Sequence, residues 1–149
     1  MGLSQKSPRL FQFFFDLMAF SIKRFPAAYY DQTAKALNPT DRQLMEDPAF
    51  KDHFIADQKE AFLQGSRGVA VDAAVHYLDW GFRLRDIPAK VHIFHGPEDR
   101  LVPVAFAKHL AENIPHCELH LLDGLGHLFP LDHQNLIFET ASSELAVPA

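Results

Sequence analysis

Val91-His92-Ile93-Phe94-His95-Gly96-Pro97-Glu98-Asp99, with Glu118-Leu119-His120-Leu121-Leu122 and Gly124-Leu125-Gly126-His127 further on, decides how this chain is read. The first five residues have the apolar, β-branched and aromatic character of a short buried strand. Gly96 to Asp99 then forms a tight turn ending in a carboxylate. The 118–122 segment reads as a second strand, and the turn after it ends in an imidazole. Between them Val104–Asn113 reads as a helix opened by Pro103, with Ala107, Leu110 and Ala111 on its inner side. A strand–helix–strand unit of this kind pairs its strands in parallel, so both turns leave the same edge of the sheet. Open α/β folds place their active sites at that edge.

The rest of the composition narrows the field. Of 149 residues 48% are hydrophobic and 22% charged, the proportions of a globular chain. The net charge of −5, with basic residues scattered, gives no face for nucleic acid. A single cysteine, Cys117, excludes an internal disulfide and fits a reducing, cytoplasmic setting. Beside Pro115 and His116 it reads as a small, partly buried filler. Residues 10–20 are strongly apolar and follow Lys6 and Arg9. Gln12 and Asp16 interrupt the run, however, and Lys23 and Arg24 follow it with no Ala-x-Ala site. Neither a signal peptide nor a membrane span is expected there. Phe11, Phe14, Phe15, Met18, Ile22 and Phe25 recur at helical steps. A second stripe of Leu10, Phe13, Leu17 and Phe20 leaves little polar surface, so this helix is either buried or set against a lipophilic ligand or membrane.

Helices are expected throughout residues 8–65. The first ends near Phe25-Pro26, and the second, over 27–37, stops at Asn38-Pro39 because a residue before proline leaves the helical region. A short third starts at Thr40, with Gln43 as its capping-box partner. A fourth takes Asp47 as N-cap and Pro48 as first residue, buries Phe50, Phe54 and Phe62, and ends at Gly65. Ser66 then N-caps a helix over 66–78 whose apolar face is Val71, Val75 and Leu78. A closing helix over 131–145 turns Leu136, Ile137, Ala141 and Leu145 inward. The nine histidines offer no metal pattern: His92 and His95 fall on opposite faces of a strand, and His116 and His120 straddle a loop–strand junction. His53, His76 and His109 read as surface residues of helices. No metal site is expected.

From Trp80 onward the chain resembles the C-terminal half of the α/β-hydrolase superfamily. The match runs through Trp80-Gly81-Phe82, Asp86-Ile87-Pro88, the strand into His95-Gly96-Pro97-Glu98-Asp99-Arg100-Leu101-Val102-Pro103, Ile114-Pro115 and Gly126-His127-Leu128. The resemblance implies an α/β fold class, a partial α/β-hydrolase fold. Residues 1–65 would be its helical lid, and 66–149 the C-terminal part of the core, with a βαβ unit and a closing helix. It also implies that Asp99 is the triad acid and His127 the triad base, in the family's order of serine, acid, histidine. The activity implied is serine-dependent hydrolysis of an ester- or amide-type bond in a small hydrophobic substrate, without a cofactor.

The family's Gly-x-Ser-x-Gly nucleophile turn does not occur in this sequence. Gly65-Ser66-Arg67-Gly68 puts its serine one place too early and follows no strand. A His-Gly-rich oxyanion loop is missing as well, and a complete lidded hydrolase is about twice this length. The expectation is a shortened hydrolase, inactive alone or dependent on a complementing N-terminal half. The free edge of a two-stranded parallel sheet favours such a partner, or self-association. The alternative is a non-catalytic module that binds a hydrophobic ligand or a protein through its Phe-rich helices. Nine of the 14 phenylalanines lie between residues 11 and 62.

Overall fold

The computed structural model describes residues 3–145. In chain order it contains α1 (Leu3–Lys6), α2 (Pro8–Arg24), α3 (Pro26–Ala36), α4 (Pro39–Leu44), α5 (Pro48–Ala61), α6 (Arg67–Val75), a 3-10 turn at Leu84–Asp86, β1 (Val91–His95), α7 (Val104–Asn113), β2 (Cys117–Leu121), α8 (Phe129–Asp132) and α9 (Gln134–Leu145). Pro8, Pro26, Pro39 and Pro48 each open a helix, where a missing N–H costs nothing. These residues divide into two compact units that interleave along the chain. One runs to Thr33 and resumes over Glu46–Phe82; the other joins Ala34–Met45 to the residues from Arg83 onward.

In the first unit α2 buries Ala19 and Ile22, which pack with Phe62, Phe15, Tyr29 and Val69. The inward face is therefore Phe11, Phe15, Ala19 and Ile22, steps of four, four and three. Phe14, Met18 and Phe25 from the expected stripe are exposed, as is the whole of the second stripe. The reason is spatial: α5 and α6 cover only one side of α2. On α6 the expected face is also wrong. Val71 and Val75 are exposed and Leu78 lies past the helix end, while Ala70 is buried and lies near Phe11 and Gln12. Alanine lets two helices approach where valine would hold them apart. Asp47 caps α5 as expected, accepting from the Ala49 N–H at 2.9 Å. Phe62 is buried; Phe50 and Phe54 are half-buried, with Phe54 edge-on to Tyr30 at 5.4 Å.

In the second unit β1 and β2 pair in parallel, from Val91 opposite Cys117 to His95 opposite Leu121. The second strand starts one residue earlier than the pattern suggests, and the Leu122 N–H still extends the ladder to the His95 carbonyl at 2.9 Å. The crossover helix α7 buries Ala107 and half-buries Leu110 and Ala111. On α9 Ile137 is half-buried, but Leu136 and Ala141 are exposed. The Leu145 side chain lies outside the described residues. The cap of α4 is Asn38 rather than Thr40: the Asn38 Oδ1 accepts from the Asp41 N–H at 2.8 Å. Thr40 instead donates its hydroxyl to the Gly124 carbonyl at 2.8 Å. Among the described residues no helix is long and apolar enough to cross a membrane.

Candidate active site

The turns after β1 and β2 interlock. The Glu98 N–H donates to the Leu125 carbonyl at 3.1 Å, and the Asp99 N–H closes its own turn on the Gly96 carbonyl at 3.0 Å. Both glycines are required by space. A Cβ on Gly96 would run into the Leu125 carbonyl and lie 2.6 Å from the Gly126 carbonyl oxygen. A Cβ on Gly126 would lie 2.6 Å from the Asn38 amide and collide with the Asp41 carboxylate. The Gly-x-x-Asp and Gly-His motifs thus have a steric origin: Gly96 lets one turn's backbone press against the other's, and Gly126 makes room for the Asn38 and Asp41 side chains.

This contact brings Asp99 and His127 together. The His127 Nδ1–H donates to Asp99 Oδ2 at 2.9 Å. The other carboxylate oxygen accepts from the Leu101 and Val102 N–H groups at 2.7 and 2.9 Å. Asp99 is therefore oriented by its own turn and has one oxygen left for the imidazole. Burial pushes the Asp99 carboxyl up, but the Val102 N–H, the His127 ring and the Leu101 N–H outweigh it and hold the group below the usual carboxylate value. Since a carboxylate only accepts, His127 carries a proton on Nδ1, which leaves Nε2 as the ring atom free to exchange one. The Asp99 side chain is 7% exposed and that of His127 38%, so the acid is shielded while the ring reaches solvent. Neighbouring Glu98 is exposed and takes no part in the pair.

A third residue in this cluster was invisible to sequence reasoning. Asp41, only 1% exposed, accepts the His127 N–H on Oδ2 and the Leu128 N–H on Oδ1, both at 2.8 Å. Its one local signal is an acidic residue in the first turn of a helix, which reads as dipole complementation. Nothing nearby points to a partner 86 residues away.

Elsewhere the candidates separate. Ser66 precedes α6 as expected but makes no capping bond. Its buried hydroxyl donates to Asp16 and accepts from the Gln12 amide at 2.7 Å. His92, Glu118 and His120 form a group with metal-binding chemistry that reading each strand alone missed. The register places them on one face, their ligand atoms within 4.8 Å of one another. His92 Nδ1 and His120 Nε2 bond each other at 3.0 Å, and the Lys90 ammonium stands 3.7 Å from Glu118. A cation is already beside that carboxylate, so no metal role is assigned. His53, His76 and His109 are exposed. A cavity of about 500 Å³ lined by Pro88, Lys90, Pro115, His116, Cys117 and Glu118 lies at the N-terminal ends of the strands, away from Asp99 and His127. Burial pushes the Cys117 thiol up, which makes it less nucleophilic.

Residues 4–140 match the alpha/beta hydrolase family, and the chain belongs to that family. It is 36% identical over 76 residues, 49% of this chain and 30% of the relative, to a pimeloyl-[acyl-carrier protein] methyl ester esterase of Aromatoleum aromaticum. It is 34% identical over 50 residues, 34% of this chain and 18% of the relative, to a 2-hydroxymuconate semialdehyde hydrolase of Pseudomonas putida. Among solved structures an esterase from Exiguobacterium antarcticum superposes with a TM-score of 0.57 over 91% of this chain, at 19% identity, and supports the fold. The chain covers 48% of that esterase.

Proposed function

We propose that Asp99 and His127 are the acid and base of a hydrolase site for ester- or amide-type bonds, working with a serine from a Gly-x-Ser-x-Gly turn that this sequence does not contain. The observation carrying this reading is the 2.9 Å bond from His127 Nδ1–H to Asp99 Oδ2 at the ends of adjacent parallel strands. His127 Nε2 would take the proton of the attacking hydroxyl as it adds to the carbonyl, then return it to the departing alcohol or amine. Asp99 would hold the tautomer and stabilise the imidazolium. A carboxylate held below its usual range stays charged while the imidazole takes up and returns the proton. The relatives act, by name, on a pimeloyl-[acyl-carrier protein] methyl ester and on 2-hydroxymuconate semialdehyde, and the first supports an ester-type bond here. We assign residues 1–65 the role of lid and 66–149 that of core, with α4 excepted because it holds the His127 turn and α6 because it packs on α2, in a cytoplasmic setting with Cys117 reduced.

The test is turnover of a chromogenic short-chain ester. The chain alone should give none. Added to an N-terminal α/β-hydrolase segment bearing the serine turn, it should give turnover that His127→Gln abolishes. Turnover by the chain alone that Ser66→Ala abolishes would overturn the proposal. The exposed Phe13, Leu17 and Phe20 of α2, between 53 and 58% accessible, favour a second reading, non-catalytic binding of a hydrophobic ligand or protein. That reading expects a fatty-acyl ligand to raise Tm equally in the wild type and in Asp99→Asn.

A further inference from the structure

We infer that Asp41 is a positioning residue for His127, setting its main chain as Asp99 sets its ring; the catalytic part of this inference rests on the reading above. A buried carboxylate is costly unless strong donors surround it. The two oxygens of Asp41 are met by two consecutive N–H groups, each at 2.8 Å. Those groups belong to the peptide planes on either side of the His127 Cα. Fixing both planes fixes φ and ψ of His127, and with them the direction of its Cα–Cβ bond. Only the two side-chain torsions then remain, and the bond to Asp99 sets those.

The clamp is itself braced. The Asp41 N–H donates to Asn38 Oδ1 at 2.8 Å, and Asn38 is 1% exposed. Thr40 ties α4 to the Gly124 carbonyl, and Arg100 Nη1 reaches the Leu37 carbonyl at 3.4 Å from the Asp99 side. Gly126 lacks the Cβ that would push the Asp41 carboxylate away. A carboxylate is needed here, and its shape alone does not suffice. An asparagine at position 41 offers one accepting oxygen, and its NH₂ would face the second N–H.

The experiment is solution NMR of the full chain. The wild type should show a downfield imidazole Nδ1–H resonance that Asp99→Asn removes, with slow hydrogen exchange at the His127 and Leu128 amides. Asp41→Asn should broaden or remove that resonance and speed exchange at both amides about a hundredfold. Gln43→Ala, an exposed change on the same helix outside the clamp and its braces, should leave the resonance in place and so separates positioning from general disturbance of α4. A folded Asp41→Asn protein with an unchanged resonance and unchanged exchange overturns the inference. Wild-type His127 and Leu128 amides exchanging as fast as open loop also overturn it, and need no variant to fold. A wild type with slow amides but no downfield resonance sinks the Asp99–His127 pair instead, and leaves the clamp standing.

Discussion

The helical unit and the cluster of turns around His127 are built on opposite principles. In the helical unit a small core of Ala19, Ile22 and Phe62 holds helices whose other large side chains face outward: Phe13 is 57% exposed, Phe20 58% and Leu63 74%. Around His127 the buried Leu37 and Met45 are joined by buried Asn38 and Asp41, and the Asp41 carboxylate bonds a main chain 86 residues away. Apolar contact has no direction and tolerates sliding. Charge-assisted bonds at 2.8 Å fix a backbone to within a few tenths of an ångström. Proton transfer needs that second kind of construction, because a base misplaced by about 1 Å loses much of its effect.

The largest effect should come from the core of the helical unit. Phe62→Ala empties a site that is 2% exposed and should cost about 3–5 kcal/mol in urea or thermal unfolding. If it costs less than about 1 kcal/mol, the helical unit is not organised around that ring and the contrast fails. Gly126→Ala should come next, at about 1–3 kcal/mol, since the added methyl can be accommodated only if the Asn38 and Asp41 side chains retreat. Its signature should be local, with amide shifts concentrated at residues 37–41 and 124–128.

How much of this was legible depended on whether the physics was local. The strands, the two turns and the helix opened by Pro48 follow from neighbours in sequence, and so does the placing of Asp99 and His127 at one sheet edge. Asp47 as a cap is local too. Which face of α2 is buried was not readable, because two apolar stripes share that helix and only its partners choose between them. Thr40 lost the capping role once its hydroxyl found the Gly124 carbonyl. The His92–His120 bond depends on register across strands, and the grip of Asp41 spans 86 residues.

A subtler difference lies in acid. The folded-state pKa of Asp99 lies below its ordinary value of 3.8, so its charged form favours the fold. That contribution is complete above the unfolded value and is lost as pH falls through the lower folded one. Asp16 in the helical unit is also lowered, first by the Ser66 hydroxyl and then by the Gln12 amide. Glu144 is lowered as well, first by its bond from Lys90, so Asp99→Asn should remove one acid-sensitive contribution among three. Its Tm deficit relative to the wild type should be largest near neutral pH and shrink below about pH 3.8. A deficit independent of pH would mean that Asp99 acts by shape rather than by charge.

The smallest effect should fall on the exposed side of α2. Phe13→Ser and Phe20→Ser remove rings that are already mostly in water, so the unfolded chain gains almost nothing by their loss. Each should change stability by no more than about 0.5 kcal/mol. The same rings should still dominate what the surface does. Sedimentation and binding of a fluorescent hydrophobic probe should both fall in the double variant if this face takes up ligand or a second copy. A loss of several kcal/mol would instead show that the rings are buried in solution. The helical unit would then be as tightly specified as the turns, and the distinction between the two regions would disappear.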